Sequence, residues 1–243
     1  MRFEVKEDKL LIDCAFDGAA ERCRLDTGLD RTALSYRTST RYKRRGGGRK
    51  TETVRVRAFK LGDHPVRRVR MVGWPRGGHA LVGMDALIGR RVSFDFDRNV
   101  LEINVPAQQW AGRLLIFSGG QFAVGATIGG GAVHALWNTG SEVCVVDEEY
   151  VRQHAADFIF INRERLGEVE MELYRARTLK IGGVPIGETE MFVDPGFSKI
   201  RAAYGPDVHM ILGLNVIEQL NWYFDLGGGF WSSTPRHGGG DEG

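Results

Sequence analysis

An internal duplication is the feature that most restricts the fold of this chain, because two related segments must form two related units. The 243-residue sequence contains LDTGLDRTALS, beginning at Leu25, and a similar segment, WNTGSEVCVVD, beginning at Trp137. The two segments are offset by 112 residues, which aligns Asp26 with Asn138. The residues before them agree at the same offset, since each copy has an apolar alternation that ends in a glycine turn.

Three further blocks recur in the same order, at offsets of 120, 130 and 130 residues. They are FKLGDHPV (from Phe59) with LKIGGVPI (from Leu179), LVGMDALI (from Leu81) with ILGLNVIE (from Ile211), and Phe94-Asp95 with Phe224-Asp225. The offsets only grow along the chain, as insertions into the second copy would make them. The sequence therefore predicts two copies of roughly 105–120 residues each.

Both copies have the pattern of short β-strands separated by turns. Glycine is about twice as common as usual, with 33 residues against 7 prolines, which is typical of many tight turns. Strands are predicted at 1–6, 9–16, 20–25, 53–61 and 66–73, and again at 113–118, 121–128, 132–137, 168–181 and 188–193. Short helices are predicted at 85–89, 147–155 and 215–220.

These patterns predict an all-β fold made of two similar lobes. The first lobe is expected to span residues 1–104 and the second residues 113–234. A linker at 105–112 joins them, and a glycine-rich tail at 235–243 is predicted to be disordered.

Composition excludes several protein classes. Hydrophobic residues make up 42% of the chain and charged residues 26%, which is usual for a globular protein with a packed core. No apolar run approaches the length of a membrane-spanning helix, and the N-terminus lacks the layout of a secretion signal. No membrane association is therefore expected.

The cysteines and histidines give no pattern of metal ligands. Cys14, Cys23 and Cys144 are odd in number and lack CxxC spacing, which argues against a zinc site or a disulfide framework. The histidines form no ligand spacing either. A reduced, cytoplasmic location and the absence of a metal are the resulting predictions, and Cys144 is expected to be a packing residue.

The paired tripeptides carry the chemistry. A lone Asp-Thr-Gly is a weak signal, but here each copy has an apolar strand, then Asp- or Asn-Thr-Gly, and later an apolar pair before Gly83 or Gly213. This arrangement resembles the pepsin and retropepsin family of aspartic peptidases, in which two lobes meet and each supplies one aspartate. The lobe length is similar to that of a retropepsin monomer, so residues 2–233 resemble a retropepsin dimer fused into one chain.

The resemblance implies a role for each residue of the two tripeptides. Asp26 and the residue at position 138 would form the catalytic pair, which in this family shares one proton because two adjacent carboxylates cannot both ionise. Thr27 and Thr139 would tie the two loops together. Gly28 and Gly140 would let backbone approach the carboxylates, where any Cβ would crowd them. Gly83 and Gly213 would do the same beneath the loops.

Asn138 departs from the family pattern, because an amide can neither ionise nor share the proton. The chain is therefore expected to bind peptides but to cleave them very poorly. Two interpretations remain open: Asn138 is a substitution that silences an active enzyme, which the intact surrounding residues favour, or the protein is a natural pseudoprotease that binds peptide segments. Ser141 is expected to donate a hydrogen bond to the side chain at position 138 and so to favour the charged form of an aspartate there, which predicts moderately acidic to near-neutral activity for Asn138→Asp.

Further substrate contacts follow from the resemblance. Asp30 and Glu142 occupy equivalent places after the two glycines, and both are expected to bind substrate. The family covers its cleft with β-hairpin flaps, and Gly46, Gly47 and Gly48 are expected to form the mobile tip of the first flap. The second flap, at 158–171, has a single glycine and should differ from the first.

The charge is unevenly distributed, although the net charge is only +2. Residues 1–110 carry 23 Lys and Arg against 14 Asp and Glu, and the excess is concentrated around the predicted first flap. The stretch from Arg41 to Lys50 could bind an acidic substrate or partner. Nucleic-acid binding is a weaker alternative, since such basic runs are usually solvated surface. The chain is expected to act as a monomer on peptide or protein substrates, without a cofactor.

Overall fold

The computed structural model of the chain describes residues 1–35, 53–66, 70–73, 78–166 and 169–237. These residues form three β-sheets, one in each lobe and one between the lobes. The prediction of an all-β, two-lobe fold is confirmed.

The first lobe is built on one twisted sheet. Its strands are β1 (Phe3–Lys6), β2 (Lys9–Phe16), β3 (Ala19–Leu25), β4 (Ala33–Leu34), β5 (Thr53–Arg55), β6 (Phe59–Leu61), β7 (His64–Val66), β8 (Arg70–Gly73) and β9 (Ala80–Val82). Within the described ranges they follow the order β5-β8-β4-β9-β3-β2-β6-β7, and β1 pairs with β2. A single 3-10 turn, Met84–Ala86, follows β9 where the short helix at 85–89 is predicted.

The second lobe repeats this arrangement, with longer strands after its tripeptide. They are β13 (Leu115–Ile116), β14 (Phe122–Ile128), β15 (Gly131–Trp137), β16 (Cys144–Asp147), β17 (Phe158–Leu166), β18 (Val169–Ile181), β19 (Val184–Asp194) and β20 (Val208–Leu212). Its helices are α1 (Glu148–Gln153), α2 (Ser198–Tyr204) and α3 (Leu214–Ile217). Helices α1 and α3 lie where the sequence predicts them, whereas α2 has no sequence prediction.

Strand pairing confirms the duplication. In the first lobe β3 runs parallel to β9, with Leu25 opposite Val82. In the second lobe β15 runs parallel to β20, with Trp137 opposite Leu212. The strand that precedes each tripeptide therefore has the same neighbour in both lobes.

A third sheet joins the lobes. It contains β11 (Val100–Ile103), β10 (Arg91–Asp95), β21 (Leu220–Asp225), β22 (Phe230–Pro235) and β12 (Gly112–Arg113), in that order. The lobes meet where β10 pairs antiparallel with β21, so that Phe94 lies opposite Trp222. The N-terminal amine of Met1 also donates to the Leu101 carbonyl oxygen at 2.7 Å.

An aromatic cluster fills the core next to this sheet. The Trp137 ring lies 4.9 Å from Phe94 and 5.0 Å from Phe224, measured between ring centroids. Phe122 packs against Phe224 at 4.8 Å. Large buried rings contribute much apolar area and fixed geometry. Because Trp137 directly precedes Asn138, this cluster anchors the second tripeptide loop to the interface between the lobes.

The cysteines and the C-terminal residues differ from what the sequence predicts. Cys14 and Cys23 are joined by a disulfide between β2 and β3, with a Cα–Cα distance of 6.1 Å, so the argument from cysteine number and spacing against disulfides fails for this pair. Arg236 donates to the Glu218 carbonyl oxygen at 3.0 Å, and the His237 amide donates to Asp97 at 3.3 Å, so the first residues of the predicted tail contact the folded chain. Among the described residues, no helix is long and apolar enough to cross a membrane.

Candidate active site

The two tripeptide loops are anchored to their sheets in the same way. The Asp26 amide donates to the Val82 carbonyl oxygen at 2.9 Å, and the Asn138 amide donates to the Leu212 carbonyl oxygen at 3.1 Å. Each loop then turns back, with the Leu29 amide bonded to Asp26 O and the Ser141 amide bonded to Asn138 O, both at 3.2 Å. The loops thus emerge from equivalent points of the two lobes and meet between them.

Two buried threonines link the loops reciprocally. The Thr27 hydroxyl donates to the Trp137 carbonyl oxygen at 2.9 Å and accepts from the Thr139 amide at 3.0 Å. The Thr139 hydroxyl donates to the Leu25 carbonyl oxygen at 2.9 Å and accepts from the Thr27 amide at 3.2 Å. Both threonines are almost fully buried, with 1% and 0% of their surface exposed. Every bond in this set crosses from one lobe to the other, so the loops hold each other in place.

The side chains of Asp26 and Asn138 converge across the boundary between the lobes. A Cβ added to Gly28 would lie 2.7 Å from the Asn138 amide oxygen, and one added to Gly140 would overlap the Asp26 carboxyl group. Asp26 accepts the Gly28 amide at 3.1 Å, and Asn138 accepts the Gly140 amide at 2.8 Å. Each polar side chain is therefore held by its own loop and packed against the glycine of the other.

A second layer of hydrogen bonds supports the first loop. The Gly83 amide donates to the Thr32 hydroxyl at 3.2 Å. The Thr32 amide and hydroxyl in turn donate to Asp85 at 2.9 and 2.7 Å. A Cβ on Gly83 would lie 2.6 Å from the Arg31 carbonyl carbon. Backbone therefore passes directly beneath the loop, and only glycine leaves room for it.

The second loop has the equivalent layer with different residues. The Gly213 amide donates to the Cys144 thiol sulfur at 3.3 Å, and the Cys144 amide donates to Asn215 at 3.0 Å. Cys144 and Asn215 thus take the places of Thr32 and Asp85. Sequence analysis missed the pairing of these four residues, although the alignment of the copies, at an offset of 112 for Thr32 and Cys144 and of 130 for Asp85 and Asn215, is a signal that could have found it.

Cys144 is a packing residue, as predicted. Its side chain is fully buried, and burial raises the pKa of its thiol to about 12. We expect no reaction of the native protein with a thiol reagent at pH 8, because the thiolate is scarce and the sulfur is inaccessible. In guanidinium chloride without a reductant one thiol per chain should react, since Cys14 and Cys23 are paired. Counting thiols before and after denaturation measures this, and rapid labelling of native Cys144 would contradict it.

The surroundings of Asp26 favour its neutral form. Burial raises the pKa of the Asp26 carboxyl above its usual value, and the positive charge of Arg24 and the Gly28 amide offset part of this rise. A cavity of about 770 Å³ opens beside Asp26, and Arg24, Leu29, Leu81 and Gly140 line part of it. The carboxyl group therefore lies at the wall of an open cavity, where a bound molecule could reach it.

This rise in pKa predicts that Asp26→Asn stabilises the chain at neutral pH. The folded-state pKa lies above that of the unfolded chain, so the contribution of Asp26 to folding is fully present below the unfolded pKa and is lost as pH rises through the folded pKa. An amide avoids this loss and can keep the bond from Gly28, as Asn138 does with Gly140. The melting temperature should be higher than that of the parent chain at pH 7 and equal to it near pH 3.

Asp8→Asn is the matched control for this measurement, because Asp8 lies on an exposed turn. It should leave the melting temperature nearly unchanged at both pH values. An Asp26→Asn variant that melts below the parent at pH 7 would show that the carboxylate is stabilised in the fold.

The substrate-binding roles of Asp30 and Glu142 stay predictions. The side chains of Asp30 and Glu142 are exposed, and their carbonyl oxygens accept the Asp85 and Asn215 amides at 3.2 and 3.1 Å. The hydroxyl of Ser141 donates to the Val143 carbonyl oxygen at 2.8 Å, so the predicted hydrogen bond from Ser141 to the side chain at position 138 is wrong. Near-neutral activity therefore loses its physical basis.

The predicted flaps are only partly covered by the structure. Gly46, Gly47 and Gly48, with the whole stretch from Arg41 to Lys50, lie outside the described residues. The second flap corresponds to the hairpin of β17 and β18, in which Arg163 pairs with Glu172 at 2.7 Å. Within the described part of the chain, no group of three or more His, Cys, Asp or Glu side chains could hold a metal ion.

Comparison with solved structures identifies the fold. An aspartic proteinase from Irpex lacteus matches with a TM-score of 0.57 over 97% of this chain and 96% of that chain, at 11% sequence identity. A retropepsin-like aspartic protease from Rickettsia conorii matches 44% of this chain and 84% of its own, with 12% identity and a TM-score of 0.31.

A third match is the protease–reverse transcriptase of prototype foamy virus, over 47% of this chain and 12% of that chain, with 17% identity and a TM-score of 0.31. No protein-family model and no curated protein sequence matches the chain. The Irpex lacteus match spans both lobes, and the paired tripeptide loops meet between them. The chain therefore has the two-lobe fold of the pepsin- and retropepsin-type aspartic peptidases.

Proposed function

We propose that this chain is built as an aspartic endopeptidase, with a peptide-binding cleft between its lobes and Asn138 in the place of the second catalytic aspartate. The observation that carries the proposal is the reciprocal pair of threonines, Thr27 and Thr139, with the convergence of Asp26 and Asn138 between them. Four hydrogen bonds between the lobes fix the position of these two side chains. Such rigid placement is what a pair of groups needs to act on one substrate bond.

The reaction would need two carboxylates that share one proton. The ionised carboxylate takes a proton from a water molecule as the water oxygen attacks the peptide carbonyl carbon. The protonated carboxylic acid donates to the carbonyl oxygen, which becomes a hydroxyl of the tetrahedral intermediate. The carboxyl group that took the proton from water then gives it to the leaving nitrogen, and the C–N bond breaks. A hydroxyl of the intermediate returns its proton to the other carboxylate, so the pair again holds one proton. With aspartate at position 138, Asp26 and its partner would fill these two roles.

With Asn138 in place of an aspartate, the site lacks one of the two carboxyl groups that serve as base and acid. The Asn138 amide oxygen accepts the Gly140 amide, so its NH₂ group can still donate to a carbonyl oxygen, but it cannot release or take up a proton. Asp26 alone would have to be base and acid at once. We therefore expect the chain as given to bind peptides and to hydrolyse them very slowly.

Asn138 also favours a second candidate function, in which the protein binds peptides without cleaving them. Asn138 keeps the hydrogen bond to its own loop and the packing against Gly28, so the amide fits the site without disturbing it. A pseudoprotease would use the cleft for capture alone.

A comparison of three proteins tests the proposal: the chain as given, Asn138→Asp, and Asn138→Asp combined with Asp26→Asn. Each is incubated with a mixed peptide library, and the products are identified by mass spectrometry. Cleavage by Asn138→Asp alone would support the endopeptidase. Retention of peptides by all three folded proteins, with cleavage by none, would favour the binding function.

The remaining expectations stay predictions. A monomer is expected because one chain carries both loops, and an acidic partner is expected for the stretch from Arg41 to Lys50. A cytoplasmic location also stays a prediction, and the disulfide between Cys14 and Cys23 removes the support that the cysteines gave it.

A further inference from the structure

Arg24 lies on the same side of its strand as Asp26. Cys23 and Leu25, its neighbours in β3, are fully buried in the core of the first lobe. Because side chains alternate along a strand, Arg24 projects to the opposite face, and it lines the cavity that opens beside Asp26. A permanent positive charge is therefore placed next to the carboxyl group of the candidate site.

Most of the hydrogen-bonding capacity of Arg24 is unused. One terminal nitrogen donates to the Gly140 carbonyl oxygen at 2.6 Å, across the boundary between the lobes. Among the described residues, the buried Nε atom has no partner and no carboxylate forms an ion pair with Arg24. Because Nε is closed off from solvent, a bound acceptor would have to use the terminal N–H donors that the Gly140 bond leaves free.

The other charges of the cavity wall largely neutralise one another. Arg22 pairs with Glu4 and Asp13 at 3.2 and 2.8 Å, and Lys9 pairs with Glu7 at 3.6 Å. His79 faces the Arg22 carbonyl oxygen at 2.9 Å through a ring nitrogen. What remains in the described part of the wall is Arg24, Asp26 and the exposed Lys6. The wall thus holds four cations and three carboxylates, and Arg22 also pairs with Asp13 behind it, so Arg24 and Lys6 are the wall cations without an ion pair among the described residues.

The equivalent position of the second lobe is apolar and filled. Leu136 stands two residues before Asn138, as Arg24 stands two residues before Asp26. Leu136 packs with Ala123, Phe197 and Val208 in a separate hydrophobic cluster, next to helix α2. The two sides of the cleft therefore differ, with a cation in an open cavity on one side and closed apolar packing on the other.

We propose that Arg24 binds the carboxylate of a glutamate or aspartate side chain of the peptide, so that the cleft selects an acidic residue beside the bond that faces Asp26. This inference rests on the proposed function and names its substrate class. A carboxylate can accept two parallel N–H bonds from a guanidinium. It would satisfy donors of Arg24 that the chain itself leaves free, and the Gly140 bond would hold the guanidinium in place.

The test uses two peptide libraries that are identical except that every Glu and Asp of the first is Gln or Asn in the second. The chain as given is immobilised, and the retained peptides are counted by mass spectrometry. The same libraries are then offered to Asn138→Asp, and cleavage is measured as separate kcat and KM values. We expect about 10–100-fold stronger retention of peptides with an acidic residue at one fixed position, and a correspondingly lower KM.

Three variants assign the preference to Arg24. Arg24→Leu, which copies the residue at the equivalent position, should bring the acidic and amide libraries to equal retention while amide peptides bind as before. Arg24→Lys should keep part of the preference, because it retains the charge but loses the planar donors. Arg98→Leu is the control, since Arg98 lies outside the cavity wall and pairs with Asp95 at 2.6 Å. It should leave the preference intact.

The outcomes separate this inference from the proposed function. Equal retention of both libraries by the chain as given, or an acidic preference that survives Arg24→Leu, would overturn the role of Arg24 while leaving the peptidase intact. An equal loss of both libraries in Arg24→Leu would show a structural role only and would also overturn the inference. If no peptide is retained or cleaved by any of the folded proteins, the proposed function and the inference are both wrong.

Discussion

Asn138→Asp should hydrolyse peptide bonds at least about 10²–10⁴-fold faster than the chain as given, the range that a positioned acid or base contributes. The substitution changes an amide into a carboxylic acid of the same shape, so the bond from Gly140 and the packing against Gly28 should persist. The new carboxyl group would share a proton with Asp26 across the boundary between the lobes. The rate is measured on peptides that the library comparison identifies as cleaved.

The pH dependence of this variant should be bell-shaped, because the pair acts only while it holds one proton. Burial raises the pKa of Asp26 and Arg24 offsets part of the rise, so activity should fall at high pH as the shared proton is lost. The double variant with Asp26→Asn is the control, since it exchanges the carboxylate and the amide between lobes. Cleavage by the double variant at the rate of Asn138→Asp would rule out the shared-proton mechanism.

Thr139→Val should destabilise the folded chain strongly. It removes a buried hydroxyl that donates to the Leu25 carbonyl oxygen and accepts the Thr27 amide, and it leaves both groups without a partner. Each unsatisfied buried group costs about 1–3 kcal/mol, so the free energy of unfolding should fall by roughly 2–5 kcal/mol. Urea denaturation of the chain as given and of the variant measures the difference.

Thr189→Val provides the matched comparison. Thr189 is buried like Thr139, but its hydroxyl has no hydrogen-bond partner in the described part of the chain. The same change of hydroxyl to methyl should therefore be neutral or slightly stabilising at that position. Similar losses at both positions would mean that threonine burial, and not the bonds between the loops, determines the effect.

The sequence predicts the parts of the fold that depend on local pattern. Strands at 9–16 and 20–25 differ by at most one residue from β2 and β3, because alternation and glycine turns mark them. Asp26 and Asn138 stand out because the two copies share a short motif and a strand pattern before it at the same offset of 112 residues. The meeting of their side chains follows from the resemblance, and the structure gives the bonds that hold them.

Features that depend on tertiary contact were not predictable in this way. Helix α2 begins after Phe197 without a side-chain cap, so no start signal marks it. Cys14 lies opposite Glu21 in the pairing of β2 with β3, and the disulfide to Cys23 is therefore diagonal. Counting cysteines cannot show such a register. No sequence pattern marks Arg24. It stands out because no carboxylate among the described residues pairs with it, and only the packed structure shows this.

In the third sheet, β10 of the first lobe pairs with β21 of the second, so both halves of the candidate site belong to one folded chain. Joining two binding units in one chain gives the second an effective concentration of about the millimolar range when the connection is short. The pair at positions 26 and 138 should then stay assembled at any protein concentration, whereas a site shared by two separate chains disappears as they dissociate. Activity per molecule of Asn138→Asp should accordingly be constant on dilution, and each lobe is free to acquire side chains that its counterpart lacks.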